Sequence, residues 1–216
     1  MRSLRDSTSA SRGGVADRPR RLVVVTGTGT EVGKTWVAAS LARRHAPDVA
    51  VRKPVQSFDA VPTDADLLAQ ASGEAPADVC PPHRSYEVAL APFMAAAHLG
   101  RPGFTLDDLL AELSWPDVGV GIVEAAGGVR SPMTSEGADA VDLCDRLRPD
   151  AVVLVAGAGL GTLNAVRLCV DALRHHPVTV LLNRFDPDDA VHRANLGWLA
   201  TNLGVPVVTD VEQLLV

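Results

Sequence analysis

The run Gly27-Thr28-Gly29-Thr30-Glu31-Val32-Gly33-Lys34-Thr35 has residue types and spacing suited to holding a polyphosphate. Glycines let backbone N–H groups curl around an anion, a lysine reaches the outer phosphates, and a threonine hydroxyl ligates magnesium. Five residues separate Gly27 from Gly33, against four in the strict Walker A form. The apolar Leu22–Thr26 precedes the run and a helix-forming stretch follows it, which is the context such a loop needs. It is read as the phosphate loop of a nucleoside triphosphate site.

Further chemistry stands after the other apolar runs. Lys53, following Val49–Arg52, is either a solvated surface lysine or a second cation that stabilises a transferring phosphoryl group. Thr63-Asp64-Ala65-Asp66 reads first as an N-cap with first-turn acids. Asp64 becomes an oxygen ligand only if its loop folds back over the phosphate. Glu124 ends the run Val118–Val123, where an acid holds magnesium directly or through water. The glycines of Ala158–Asn164 either ease a tight turn or present N–H groups to an anionic substrate. Asn183 is either a turn former or a reader of an adenine edge.

Positioning these groups requires a sheet whose strands end at one edge. Strands are expected at Leu22–Thr26, Val49–Arg52, Val118–Val123, Ala151–Ala156, Val178–Leu182 and Pro206–Val208. Helices are expected at Lys34–His45, Asp64–Ser72, Ala91–Leu99, Leu106–Leu113, Ala138–Leu147, Thr162–His175 and Asp189–Leu203. Continuous apolar runs such as Ala151-Val-Val-Leu-Val-Ala156 mean strands covered on both faces, hence an α/β fold. The expected fold is one P-loop NTPase-type domain, residues 22–216, with a mostly parallel sheet and helices on both faces. Ligands then sit beyond the carboxyl ends of the strands. The Arg- and Ser-rich residues 1–21 are read as a disordered extension.

Composition narrows the partners. The chain has 216 residues, 47% hydrophobic and 21% charged, with a net charge of −6 and 4% aromatics. That balance argues against a sequence-independent grip on nucleic acid. Cys80, Cys144 and Cys169 lack zinc or disulfide spacing and are read as reduced thiols. No apolar run is long enough for a membrane span. The expectation is a cytoplasmic chain with small-molecule partners.

Taken together, these blocks resemble the dethiobiotin synthases, ATP-dependent carboxylases of biotin synthesis within the P-loop NTPase superfamily. The resemblance spans most of Leu22–Val208 and rests on GTGTEVGKT, Lys53–Ser57, Asp64, Glu124–Gly128, Ala91-Pro92 and Gly161–Asn164. It departs from the family pattern at Phe58, Ala125 and Ala165. The resemblance implies a homodimer using ATP, CO2 or bicarbonate and 7,8-diaminononanoate. In it Lys34 and Lys53 are catalytic, and Thr35, Asp64 and Glu124 hold Mg2+. ATP would contact Glu31, Val32, Gly33, Lys34, Thr35 and Trp36, then Asp64, Glu124, Ala125, Ala126 and Gly127, with Asn183 and Arg184 at the base. Ser57 would touch the substrate, and Leu160, Gly161, Thr162, Leu163 and Asn164 would receive its carboxylate across a dimer. The competing reading is a divergent P-loop ATPase, either another ATP-dependent ligase or a partition-type regulatory ATPase. The latter's lysine near the start of the loop is absent, since Gly27-Thr28-Gly29 occupies that stretch.

Overall fold

A computed structural model of the chain describes residues 18–216. Most of the expected extension, residues 1–17, lies outside them. Residues 18–21 do not belong with that extension. Pro19 is buried, Arg18 pairs with Asp150 at 2.8 Å, Arg20 pairs with Asp48 at 2.8 Å, and Arg21 opens the first strand. Arginine content masked this in the sequence, because these side chains lie on the surface and neutralise acids contributed by distant loops.

In chain order the elements are β1 (Arg21–Gly27), α1 (Lys34–His45), β2 (Val49–Arg52), β3 (Gln56–Ser57), α2 (Asp64–Ser72) and α3 (Pro76–Val79). There follow β4 (Ser85–Tyr86), α4 (Pro92–His98), α5 (Leu106–Ala111), β5 (Val120–Glu124), α6 (Ala140–Leu147) and β6 (Ala151–Gly157). The chain ends with α7 (Thr162–Ala172), β7 (Val178–Asn183), α8 (Ala190–Asn202) and β8 (Val207–Val208). Six strands form one sheet in the order β2-β5-β1-β6-β7-β8, every pairing parallel. The expected mostly parallel α/β sheet is therefore present.

Its β-branched runs explain why it is covered twice. Along β1, Val23 and Val25 enter a core with Val37, Leu41, Ala65 and Leu68 of α1 and α2, whereas Leu22 and Val24 enter a second core with Leu143, Val166 and Leu199. Alternate side chains of a strand point to opposite faces, so a run of valines must be packed on both. Fully burying each of these side chains contributes about 1.5–3 kcal/mol.

Two differences from the expected elements bear on the site. The strand expected at Val118–Val123 runs from Val120 through Glu124, so the acid is the strand's last residue and not a loop residue after it. Gln56–Ser57 and Ser85–Tyr86 form a separate parallel pair, too short to leave a periodic signature in sequence. Other boundaries move by one to three residues. α6 starts at Ala140 behind an Asp139 cap, and α7 stops at Ala172.

Gly121 lies in the interior of β5, where a Cβ would come within 2.8 Å of the Trp115 ring and overlap Pro19. Gly121→Val should lower stability by about 1–3 kcal/mol in urea denaturation. An unchanged midpoint would show that residues 18–21 do not pack on this strand.

Candidate functional site

Strand register brings the candidate residues to one edge. Val25 of β1 is level with Glu124, Gly27 with Val155 of β6, and Gly157 with Asn183 of β7. The phosphate loop arches from Gly27 into α1, with Glu31 and Gly33 in the left-handed region at φ 59° and 95°. It is anchored by Thr28 N donating to Val155 O at 2.9 Å and Val129 N donating to Gly27 O at 3.0 Å. A Cβ on Gly128 would lie 3.3 Å from Gly29 Cα, so the loop rests close against residues 127–129 and glycine eases the approach. Among the described residues none accepts a hydrogen bond from the N–H groups of residues 29–33. These unmatched donors curve around a space that suits an anion.

Beneath the loop lies an ionic cluster. Lys53 Nζ is 2.6 Å from Asp64 Oδ2 and 2.6 Å from Glu124 Oε1, with Lys53 and Glu124 both buried. Thr35 Oγ1 lies 2.9 Å from Asp64 Oδ1 and 3.0 Å from Glu124 Oε1, and its single proton can serve only one of them at a time. Burial works against the Lys53 charge, but the two carboxylates outweigh it and hold the ammonium above its ordinary value. Burial likewise tends to raise Asp64, yet Lys53 and Thr35 bring it below the usual carboxylate range. Lys34 lies beside the cluster with Nζ donating to Gly29 O at 2.8 Å, and burial lowers its pKa. Lys53 is thus a buried, doubly paired cation and not the solvated surface lysine its isolated position in sequence allowed.

The start of α2 carries the expected N-cap followed by first-turn acids. Thr63 and Asp66 form the capping box of α2, leaving Asp64, the first helical residue, to face Thr35 and Lys53. Gln56 completes the support, its Oε1 accepting from Ala65 N at 3.0 Å and its Nε2 donating to Ser85 Oγ at 2.7 Å. Sequence reasoning missed Gln56. The only hint was a polar residue closing the short run Lys53–Gln56, which is buried.

A cleft of about 380 Å3 opens beside the loop, lined by Gly33, Trp36, Asn183, Arg184, Phe185 and Asp210 among others. Trp36 is half-exposed at its wall, and Arg184 is left-handed at φ 57°. Asn183 is buried and donates from Nδ2 to Val32 O at 2.9 Å. Ser57 Oγ donates to Leu90 O at 2.5 Å, joining β3 to the turn before α4, with Phe58 half-buried next to it.

Other candidates stand differently. Ala125 is fully buried and its N–H donates to Val25 O at 3.0 Å, so neither its side chain nor its amide faces the loop. Its φ is not positive, which is why alanine is tolerated where a glycine was expected. Ala126 is buried as well, and Gly127 turns at φ 71°. Residues 160–164 start α7 at the same sheet edge but make no hydrogen bond to the phosphate loop among the described residues. Leu160 is 96% exposed, Gly161 is left-handed at φ 88°, and Thr162 Oγ1 is buried without a partner. Sequence reasoning also missed Asn195 of α8, whose Nδ2 donates to the carbonyls of Ala158 and Gly159 at 2.9 Å each and shapes this turn.

The oxygen set of Thr35, Asp64 and Glu124 fits a hard cation such as Mg2+. Glu124 Oε2 is buried with no hydrogen-bond partner among the described residues, and a bound cation would satisfy it. No group of three or more His, Cys, Asp or Glu among the described residues is arranged to hold a metal, so phosphate oxygens or water must complete the shell. Replacing Lys53 strands two acids, one of them fully buried. Lys53→Met should cost about 3–5 kcal/mol of stability in urea denaturation, and adding Glu124→Gln should recover part of it. Equal stability of wild type and Lys53→Met would contradict the buried pairing.

The chain's similarities agree with this architecture. An AAA domain family model matches residues 21–215. An ATP-dependent dethiobiotin synthetase of Haloferax mediterranei is 38% identical over 192 residues, covering 86% of this chain and 81% of that protein. One of Rhodococcus jostii is 37% identical over 199 residues, covering 88% and 85%. One of Caulobacter vibrioides is 41% identical over 169 residues, covering 72% and 75%. Among solved structures, the cell division protein FtsY of Thermotoga maritima aligns at a TM-score of 0.50 and 17% identity, covering 90% of this chain and 63% of that one. That likeness concerns the fold alone. With matches of this identity along most of its length, and a phosphate loop seated over a buried lysine and two acids, the chain belongs to the ATP-dependent dethiobiotin synthetase family.

Proposed function

We propose that the chain carboxylates 7,8-diaminononanoate with CO2 and closes the ureido ring of dethiobiotin at the expense of ATP. The observation that carries this reading is Lys53 held between Asp64 and Glu124 beside Lys34, two cations converging beneath a loop of unmatched N–H groups. In the reaction, one amine of the diamine adds to CO2 and loses a proton, giving a carbamate. A carbamate oxygen attacks the γ-phosphorus of ATP and ADP leaves, giving a carbamic-phosphoric anhydride. The second amine then attacks the carbonyl carbon, and phosphate departs as the ring closes.

The protein's part is positioning and fixed charge. Residues 31–36 wrap the phosphates, and Lys34 and Lys53 stabilise the charge on the transferring phosphoryl group. Thr35, Asp64 and Glu124 would hold Mg2+, which neutralises charge on the phosphate oxygens when bound. Asn183, Arg184 and the cleft beside Trp36 take the base, and Ser57 lies at the diamine. Residues 160–164, open at the start of α7, receive the substrate carboxylate from a second copy. Leu160, Leu168 and Trp198 are exposed apolar side chains that such a contact could cover. No helix among the described residues is long and apolar enough to cross a membrane.

With Mg-ATP and bicarbonate, adding the diamine should elicit ADP release matched by dethiobiotin in mass spectrometry. ATP binding without diamine-dependent turnover would refute the reading in favour of a divergent ATPase. Lys53→Ala should lower kcat by about 100-fold or more while changing the ATP Kd little. An unchanged kcat removes Lys53 from catalysis. Light scattering should give twice the 22.6 kDa chain mass, and a monomer that turns over fully would contradict the shared site.

A further inference from the structure

Between β5 and α6 the chain passes against the start of the phosphate loop. Val129 is buried, donates from its N–H to Gly27 O at 3.0 Å and accepts at its carbonyl from Ala140 N at 3.2 Å, so it is fixed between the loop and α6. Gly128, just before it, lies against Gly29, and its N–H donates to Ser131 Oγ at 3.0 Å. Arg130 is the residue at which this tight path reaches the surface. Its backbone is therefore held in place one residue beyond a bond to the loop. Its side chain is 67% exposed, and none of the steps proposed above uses it.

The guanidinium is steered without being enclosed. Nη1 lies 2.8 Å from Asp139 Oδ2, and Asp139 is buried at the start of α6. The other oxygen of that acid, Oδ1, accepts from the N–H groups of Val141 and Asp142 at 2.8 and 3.4 Å. Asp139 thus divides its charge between the helix end and Arg130. A guanidinium carries five N–H donors in a flat fork, and among the described residues only Asp139 meets those of Arg130. An edge of the fork is left open beside the phosphate loop, and such an edge takes an oxyanion with two parallel bonds.

Two kinds of oxyanion take part in the proposed reaction, the outer phosphates and the substrate carboxylate. The phosphates already have Lys34, Lys53 and the unmatched loop N–H groups. The carboxylate has the start of α7 in a second copy, which offers N–H groups and no cation. A methylene chain separates it from the reacting amines, so amines set at Lys53 place it outward, toward the rim on which Arg130 stands. We propose that Arg130 is a substrate-binding residue whose guanidinium pairs with the carboxylate of the diamine, selecting carboxylate-bearing diamines over simple ones. This rests on the reaction proposed above and adds to its carboxylate site a cation from the segment between β5 and α6.

The test is steady-state ADP release by the full chain with Mg-ATP and bicarbonate, comparing 7,8-diaminononanoate with 2,3-diaminononane. The second compound keeps both amines and the carbon chain but ends in a methyl group where the first has its carboxylate. Wild type should prefer the carboxylate-bearing diamine in kcat/KM by about tenfold or more. In Arg130→Gln that preference should fall to about twofold or less, through a raised KM for 7,8-diaminononanoate and with the KM for ATP unchanged. Arg130→Lys, which keeps the charge and loses the fork, should retain part of it. Taking the ratio of two substrates within one variant cancels any loss of folded enzyme. An equal preference in wild type and Arg130→Gln overturns the proposal. So does a raised KM for ATP with the diamine KM unchanged, which would give the cation to the phosphates. Turnover of both diamines by wild type without preference refutes the carboxylate partner and leaves the ring-forming reaction standing. Wild type inert with both diamines instead faults that reaction, and the role of Arg130 falls with it.

Discussion

A lysine ammonium buried beneath the end of a parallel sheet has to be neutralised, and much of this molecule's active edge is arranged around that requirement. Lys53 is 2% exposed, and desolvation alone would expel its charge. Glu124 supplies one compensating carboxylate from the central part of the sheet and Asp64 the other from the start of α2. Because one partner comes from a strand and the other from a helix, the ion pairs fix where α2 docks. Gln56 and the Thr63–Asp66 capping box hold the helix start so that Asp64 is left to face inward. Buried ion pairs are weak contributors to net stability, so this cluster is better understood as fixing position.

Above the cluster the chain leaves polar groups unmatched. Among the described residues the loop N–H groups of residues 29–33 and Glu124 Oε2 have no partner, whereas most buried polar groups in the sheet are satisfied by its ladders. Unmatched groups gathered at one edge, with two lysines among them, suit an anion. Charge already in place needs little reorganisation when phosphoryl transfer occurs, which is the kind of catalysis expected where positioning does most of the chemistry. Asn183 of β7 ties the loop to the sheet through its Nδ2 bond to the Val32 carbonyl.

Short-range signals made much of this legible in the sequence. Glycine spacing and a following helix identified the phosphate loop, and valine runs gave the doubly covered sheet because packing on both faces leaves a continuous apolar pattern. Lys53 and Glu124 were legible as strand-end residues, though Glu124 proved to lie within its strand. What escaped depends on contacts distant in sequence. Thr63-Asp64-Ala65-Asp66 read as an N-cap with first-turn acids, which the helix start is, but local chemistry could not show that Asp64 also meets Lys53 and Thr35. The two-residue strands β3 and β4, and with them Gln56, carry no periodicity. Arg18 to Arg21 looked like an extension because their acidic partners, Asp48 and Asp150, lie far along the chain. Ala125, expected at the nucleotide, is turned into the core by its bond to Val25.

We propose that Thr35, Asp64 and Glu124 hold a divalent cation under the phosphate loop. Crystals grown with Mn2+ and a non-hydrolysable ATP analogue, with diffraction recorded at the manganese edge, put this to the test. An anomalous peak is expected among the oxygens of Thr35, Asp64 and Glu124 and the outer phosphates. Nucleotide bound in the loop with manganese elsewhere, or with none, would contradict it.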